Sequence, residues 1–311
     1  MDKKIKKINF NHSFVFFLFC NIFSLLFLKF DDQIISPLIC LLLILIIGVS
    51  HGSLDNLKGK KLLKIFKINN ILIFYLSYLI LAISIIIFWT LFPTTTLILF
   101  LIVASFHFGK EDTQFLIDEN SYFNQFLFLF KGSLIILAPL LFHFDETVNI
   151  FKLLLINNET FYSILNIIEN NKLINIGIIL STLSSIFLFL RKFELKKFTI
   201  FLDYFSIIII NYYFTPLIAF TIYFCFLHSI RHSISLIFEL DQGSLKNGLV
   251  IFTKKALPLT ILTATFCFIG LYFLNKIYGF DNSILKLIFI GLASLTFPHI
   301  LLEYLIEKNE K

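Results

Sequence analysis

Charge is scarce in this chain: Asp, Glu, Lys and Arg make up only 15% of its 311 residues. Soluble domains carry about a quarter charged residues, so a water-soluble globule is excluded, in line with 58% hydrophobic residues and a mean hydropathy of +0.89. Proline (6) and glycine (11) are also few. Little material remains for turns and long loops, and we read residues 1–311 as one integral membrane domain without a soluble appendage. The four cysteines (Cys20, Cys40, Cys225, Cys267) all lie in apolar runs and form no CxxC, which excludes a disulfide framework and a thiolate metal cluster. No GxGxxG is present, so no NAD(P)H or flavin domain is visible.

Phenylalanine, by contrast, is abundant, with 42 copies. The formal charge of +6 does not point to nucleic acid, because no basic face with stacking aromatics is present. The basic residues instead form short clusters between apolar runs: Lys3, Lys4, Lys6 and Lys7; Lys58, Lys60, Lys61, Lys64 and Lys67; Arg191, Lys192, Lys196 and Lys197. Such clusters set membrane topology and meet lipid headgroups. A span needs roughly 20 apolar residues, which predicts an all-α, polytopic transmembrane bundle of about ten spans. They run over 13–30, 34–51, 71–92, 95–109, 123–143, 173–190, 198–214, 216–238, 256–275 and 283–304. The seventh is interrupted by Asp203 and Asn211, and 144–172 reads as the longest loop with an interfacial helix. The first apolar run lacks a small-residue cleavage site and reads as a retained span. Lysine asymmetry places both termini in the cytoplasm of a cell (inner) membrane.

Seven histidines carry the chemical argument. His12 and His143 read as interfacial residues. His51 (GVSHGSLDN), His107 (ASFHFGKED), His228 and His232 (FCFLHSIRHS) and His299 (TFPHILLEY) all fall toward the inner ends of spans that run from outside to inside. Ionisable groups within spans are costly and usually functional, and chance would not set five at one depth. The i,i+4 pair His228/His232 leaves one helix face, a geometry with which one helix offers two metal ligands. A metal site between helices is therefore expected. Acids stand one turn on: Asp55, Glu111 with Asp112, and Glu303. A ligating imidazole usually donates its other N–H to such an acceptor. Asp55 and Asp112 are the better candidates for that role, and Glu303, beside a charged tail, reads as an ordinary interfacial acid. Gly48, Gly52 and Gly109 bracket the first two clusters and would admit close helix approach. Arg231 leaves the His228/His232 face and is expected to meet a carboxylate or a headgroup.

Imidazoles without cysteine suit iron, zinc, copper or nickel, and spacing does not choose among them. The ordered motifs HGSLD (51–55), HFGKED (107–112), HSIRH (228–232) and FPH (297–299) resemble the Brp/Blh family. These are bacterial and archaeal membrane-bound β-carotene 15,15′-dioxygenases that supply retinal to microbial rhodopsins. The likeness covers nearly the whole chain; Ser53 stands where that family usually has Ala. It implies that His51, His107, His228 and His232 ligate Fe(2+), with His299 left between an outer role and substrate positioning. It also implies β-carotene and O2 as substrates, two retinal molecules as products, contact with membrane lipid and a link to a retinal-using rhodopsin. The electron count agrees, because splitting one C=C into two aldehydes releases the four electrons that reduce O2. Phe106, Phe108, Phe224, Phe226 and Phe297 flank the motifs and are candidates for a polyene tunnel. A membrane di-iron desaturase needs about eight histidines in boxes that are not present here. A transporter or proton relay predicts repeats or broken helices, and bis-histidine haem predicts a visible spectrum.

Overall fold

The computed structural model describes residues 3–27, 35–50, 52–117, 121–191 and 193–309. His51 lies outside the described residues. All regular structure among them is helical, which suits long continuous apolar runs, since a helix satisfies its backbone groups within its own segment. Nine helical segments are long and apolar enough to cross a membrane among the described residues, which is the build of a membrane protein. In chain order the helices are α1 (Lys3–Phe27), α2 (Pro37–Leu43), α3 (Asp55–Ile65), α4 (Ile71–Leu91), α5 (Pro93–Glu111), α6 (Tyr122–Phe142) and α7 (Phe144–Leu153). Then follow α8 (Glu159–Asn170), α9 (Leu173–Leu190), α10 (Thr199–Tyr213), α11 (Pro216–Ile222), α12 (Ile230–Leu240), α13 (Leu245–Tyr278) and α14 (Phe280–Asn309).

The expected span at 198–214 does not reach full length. With 15 residues, α10 is about 22 Å long, short of the roughly 30 Å hydrocarbon core. It nevertheless runs in the same direction as α1. Asp203 and Ser13 both bond Arg231, and further along the two helices Phe214 stacks on Phe23 at 5.2 Å. Asp203 and Asn211, the residues that interrupt its apolar run, are buried against neighbouring helices rather than facing lipid. The stretch 144–172 is also more ordered than a loop. It forms α7 and α8, and α8 has no fully buried residue.

Two π-helical turns interrupt otherwise regular spans, Ile44–Gly48 after α2 and Tyr223–Ser229 between α11 and α12. They lie against each other, and a Cβ on Gly48 would strike the Phe224 ring at 2.5 Å. The absence of a side chain at Gly48 is what lets that ring settle there. A π turn frees a carbonyl from the α-ladder, and here Phe226 O accepts from His12 Nε2 at 2.8 Å. His12 is therefore a structural bond across helices, not merely an interfacial residue. Among the described glycines, those on α5 and α6 mark a close backbone approach. A Cβ on Gly109 would overlap the Phe128 carbonyl, and one on Gly132 would overlap the Ser105 carbonyl. Ser105 and Gly109, spaced i,i+4 on α5, meet Gly132 on α6 and form the small-residue seam by which helices associate without a hydrophobic drive.

Candidate metal centre

The C-terminal halves of α5 and α14, the start of α3 and the π turn running into α12 converge on one buried cluster. His107, His228, His232 and His299 are all buried. Ring centroids are 5.4 Å apart for His107–His228, 5.4 Å for His107–His299 and 5.7 Å for His232–His299. The depth inferred from hydropathy alone thus corresponds to contact. His51 cannot be placed against them, since it lies outside the described residues.

Behind the rings stand carboxylates. His299 Nδ1 donates to both oxygens of Asp55 at 2.9 Å. Asp55 also accepts from Tyr78 Oη at 2.9 Å, which fixes the carboxylate from α4. His228 Nδ1 donates to Asp112 Oδ1 at 3.3 Å, and Tyr223 Oη donates to Asp112 Oδ2 at 2.6 Å. His232 Nδ1 donates to Glu111 Oε2 at 3.2 Å, and Gln114 Nε2 holds the other Glu111 oxygen at 2.6 Å. Each of these three rings is thereby fixed as an Nδ1–H tautomer with Nε2 turned to the interior. Such backing orients a ligating histidine and raises its basicity. Asp55 and Asp112, expected behind His51 and His107, stand instead behind His299 and His228, on rings brought from other helices. Glu111 joins them, one residue from Asp112 but on a different histidine.

Glu303 departs from expectation. Instead of facing the surface beside the charged tail, its side chain is only 13% exposed. Its Oε1 lies 3.5 Å from His299 Nε2 and 3.8 Å from His232 Nε2, and its Oε2 lies 3.8 Å from His107 Nδ1. One turn of α14 puts His299 and Glu303 on the same face. Lys58 Nζ donates to Glu303 Oε1 at 2.6 Å and lies 3.4 Å from His232 Nε2. Sequence reasoning missed Lys58 because it belongs to a lysine run that otherwise reads as a headgroup cluster.

The donor set fits a metal ion. His107, His299 and Glu303 form one group of mutually close donor atoms, and Glu111, His232 and Glu303 form another. A metal–nitrogen bond of about 2 Å places ring centroids of ligands sharing one ion roughly 4.5–6 Å apart, the spacing observed. Nitrogen and carboxylate donors without thiolate suit iron, zinc or copper.

Arg231 lies off this cluster, as expected of its helix face. Its guanidinium takes Asp203 with Nη1 at 2.7 Å and Nη2 at 3.0 Å. It also donates to Ser13 Oγ at 2.6 Å and to the Asp112 carbonyl at 3.1 Å. It thus ties α1 and α10 to the residue that backs His228.

On the apolar side, Phe108 meets His228 edge-on at 4.8 Å, Phe224 stacks over it at 5.9 Å and Phe220 stacks on Phe224 at 5.4 Å. Phe297 lies against Phe100 at 6.3 Å, whereas the Phe226 ring turns toward Phe19 on α1 at 5.9 Å. On the polar side, a cavity of about 800 Å³ reaches Glu111, His232 and Glu303, with Lys61, Lys110, Glu239 and Glu307 among its charged lining.

The family model described as "Beta-carotene 15,15'-dioxygenase" matches residues 42–307, which contain every histidine and carboxylate of this cluster. The chain belongs to that family. Among curated proteins, a relative named Beta-carotene 15,15'-dioxygenase from uncultured marine bacterium 66A03 is 30% identical over 274 residues. The match covers 84% of this chain and 90% of the relative. No solved structure matches.

Proposed function

We propose that this chain cleaves β-carotene at its central 15,15′ double bond with dioxygen, giving two molecules of all-trans-retinal. The observation that carries the reading is the contact of four buried imidazoles at one level, three of them braced from behind by carboxylates. We assign His107, His228 and His232, together with His51, to an iron ion. His299 lies in ring contact with His107 and His232 and joins the site either as a further ligand or against substrate. Ferrous iron, when bound, supplies the redox chemistry that lets dioxygen react with a closed-shell polyene.

The chain's own contribution is geometric. Asp55, Asp112 and Glu111 hold the imidazoles in one tautomer and aimed inward, so that the site is organised before substrate arrives. Phe108, Phe224 and Phe220 form an apolar ledge against His228, suited to the flat face of a conjugated chain and hostile to water. No proton donor is needed for the net change, because one C=C and one O2 become two C=O bonds. A substrate insoluble in water would reach this ledge laterally from the bilayer. The cavity at Glu111, His232 and Glu303 offers a metal ion a path from water, past Glu239 and Glu307. We read residues 1–311 as one functional unit in a cell membrane, with lipid around it and a retinal-using rhodopsin as the consumer of its product.

The test is expression in cells that accumulate β-carotene, with retinal and carotene measured in extracts. The parent should yield retinal, and His228→Ala at matched protein level should yield none. A well-expressed, iron-loaded parent that leaves carotene untouched would overturn the assignment and favour a transporter or proton-relay reading of the same histidines.

A further inference from the structure

The carboxylates of the centre sort into two classes by where they stand. Asp55, Asp112 and Glu111 lie behind the rings on Nδ1 atoms, whereas Glu303 stands in front, facing Nε2 of His232 and His299. Its distances to three imidazole nitrogens, 3.5–3.8 Å, are too long for good hydrogen bonds. They are close to the separation of donor atoms arranged around one ion, about 3.0–3.6 Å for bonds near 2.1 Å. From this geometry we propose that Glu303 is itself a ligand of the metal, so that the centre is a histidine–carboxylate site rather than an all-histidine one.

Two further observations point the same way. Among the described residues, Glu303 converges with His107 and His299 as a group of mutually close donor atoms, and its Oε1 also faces His232 Nε2. Lys58 holds Oε1 at 2.6 Å, and a ligating carboxylate is usually fixed by a hydrogen bond of this kind. The pairing sets the carboxylate plane and leaves Oε2 on the His107 side. A carboxylate in the ligand set reduces the net charge of a divalent centre from +2 to +1. It also adds a hard oxygen donor, which favours iron over softer ions.

The inference rests on reading the cluster as a metal site, and its test needs no substrate. Purified protein, stripped and reloaded with Fe(II) or Co(II), is assayed for bound metal per chain and for the visible ligand-field bands of the Co(II) form. Glu303→Gln and Glu303→Ala should bind Co(II) at least about 100-fold more weakly and show shifted bands. Acetate should restore the parent spectrum in the Ala variant. Asp112→Asn, which alters a carboxylate behind a ring, is expected to weaken affinity within the 10–100-fold range of outer partners while leaving the band positions in place. Should the Ala variant not fold, the near-isosteric Gln variant carries the same comparison. Glu303→Gln with parental affinity and unchanged bands would overturn the proposal. A parent chain that takes up no metal would remove the functional reading itself, and this inference with it.

Discussion

At the scale of single residues, the centre combines groups whose roles differ in how far they can be read without a structure. The paired His228 and His232 and their depth shared with His107 and His299 follow from spacing and hydropathy, because helical periodicity converts sequence separation into a face. Asp55 and Asp112 drew notice as acids a turn or so beyond His51 and His107, but the rings they back, His299 and His228, come from distant helices and emerge only from packing. Glu303 and Lys58 were not, since both sit in charged stretches where an interfacial reading is equally natural and only tertiary packing turns them inward. Arg231 was half legible: its need for a carboxylate is a matter of burial, but Asp203, 28 positions away, is identified only by the fold. That pair gives a stability prediction. Removing one partner of a buried ion pair typically costs about 3–5 kcal/mol. Arg231→Leu should therefore lower the thermal midpoint of the detergent-solubilised protein markedly. The double change Arg231→Leu with Asp203→Leu should recover most of the loss. Equal midpoints for the single variant and the parent would show that the pair does not support the fold.

At the scale of elements, the all-helical, polytopic build and the order of the spans were predictable, whereas their irregularities were not. The break at 198–214 was anticipated from Asp203 and Asn211, and α10 is indeed shorter than a full span. The π turns left no sequence signal, because an extra residue in a helical turn depends on a neighbour to take the freed carbonyl; His12 does so for Phe226. The stretch 144–172, expected to be a loop with an interfacial helix, forms two helices, α7 and α8. Gly109 was marked as a place of close approach, but its partner Gly132 emerges only when α5 and α6 are set side by side. Gly109→Ala should force these backbones apart at a cost of about 1–3 kcal/mol, and it should also weaken metal uptake by displacing His107 two residues away. Gly291→Ala, where a Cβ meets nothing within 4 Å, serves as the control and should be neutral or slightly stabilising. Thermal midpoints and bound metal per chain, measured on both variants, check this.

At the scale of the whole molecule, alternation of the passes fixes which segments share a side. The α3 lysines should lie on one face of the membrane and α8 on the other, the former cytoplasmic by the positive-inside rule. Single cysteines introduced at Lys61 and at Glu159, in a background where the native cysteines are replaced, should be labelled from opposite sides by a membrane-impermeant maleimide. Labelling of both from one side would require a different threading of the chain. The distribution of the site along the chain has a further consequence. Its groups run from Asp55 on α3 to Glu303 on α14, with most of the polypeptide between them. During synthesis the first of these groups enter the bilayer long before the last, so no partial chain can assemble the cluster as the finished one does. On the proposed assignment, metal capture would wait until α14 has been inserted and packed, and possession of the ion would become a chemical record that the whole bundle was completed.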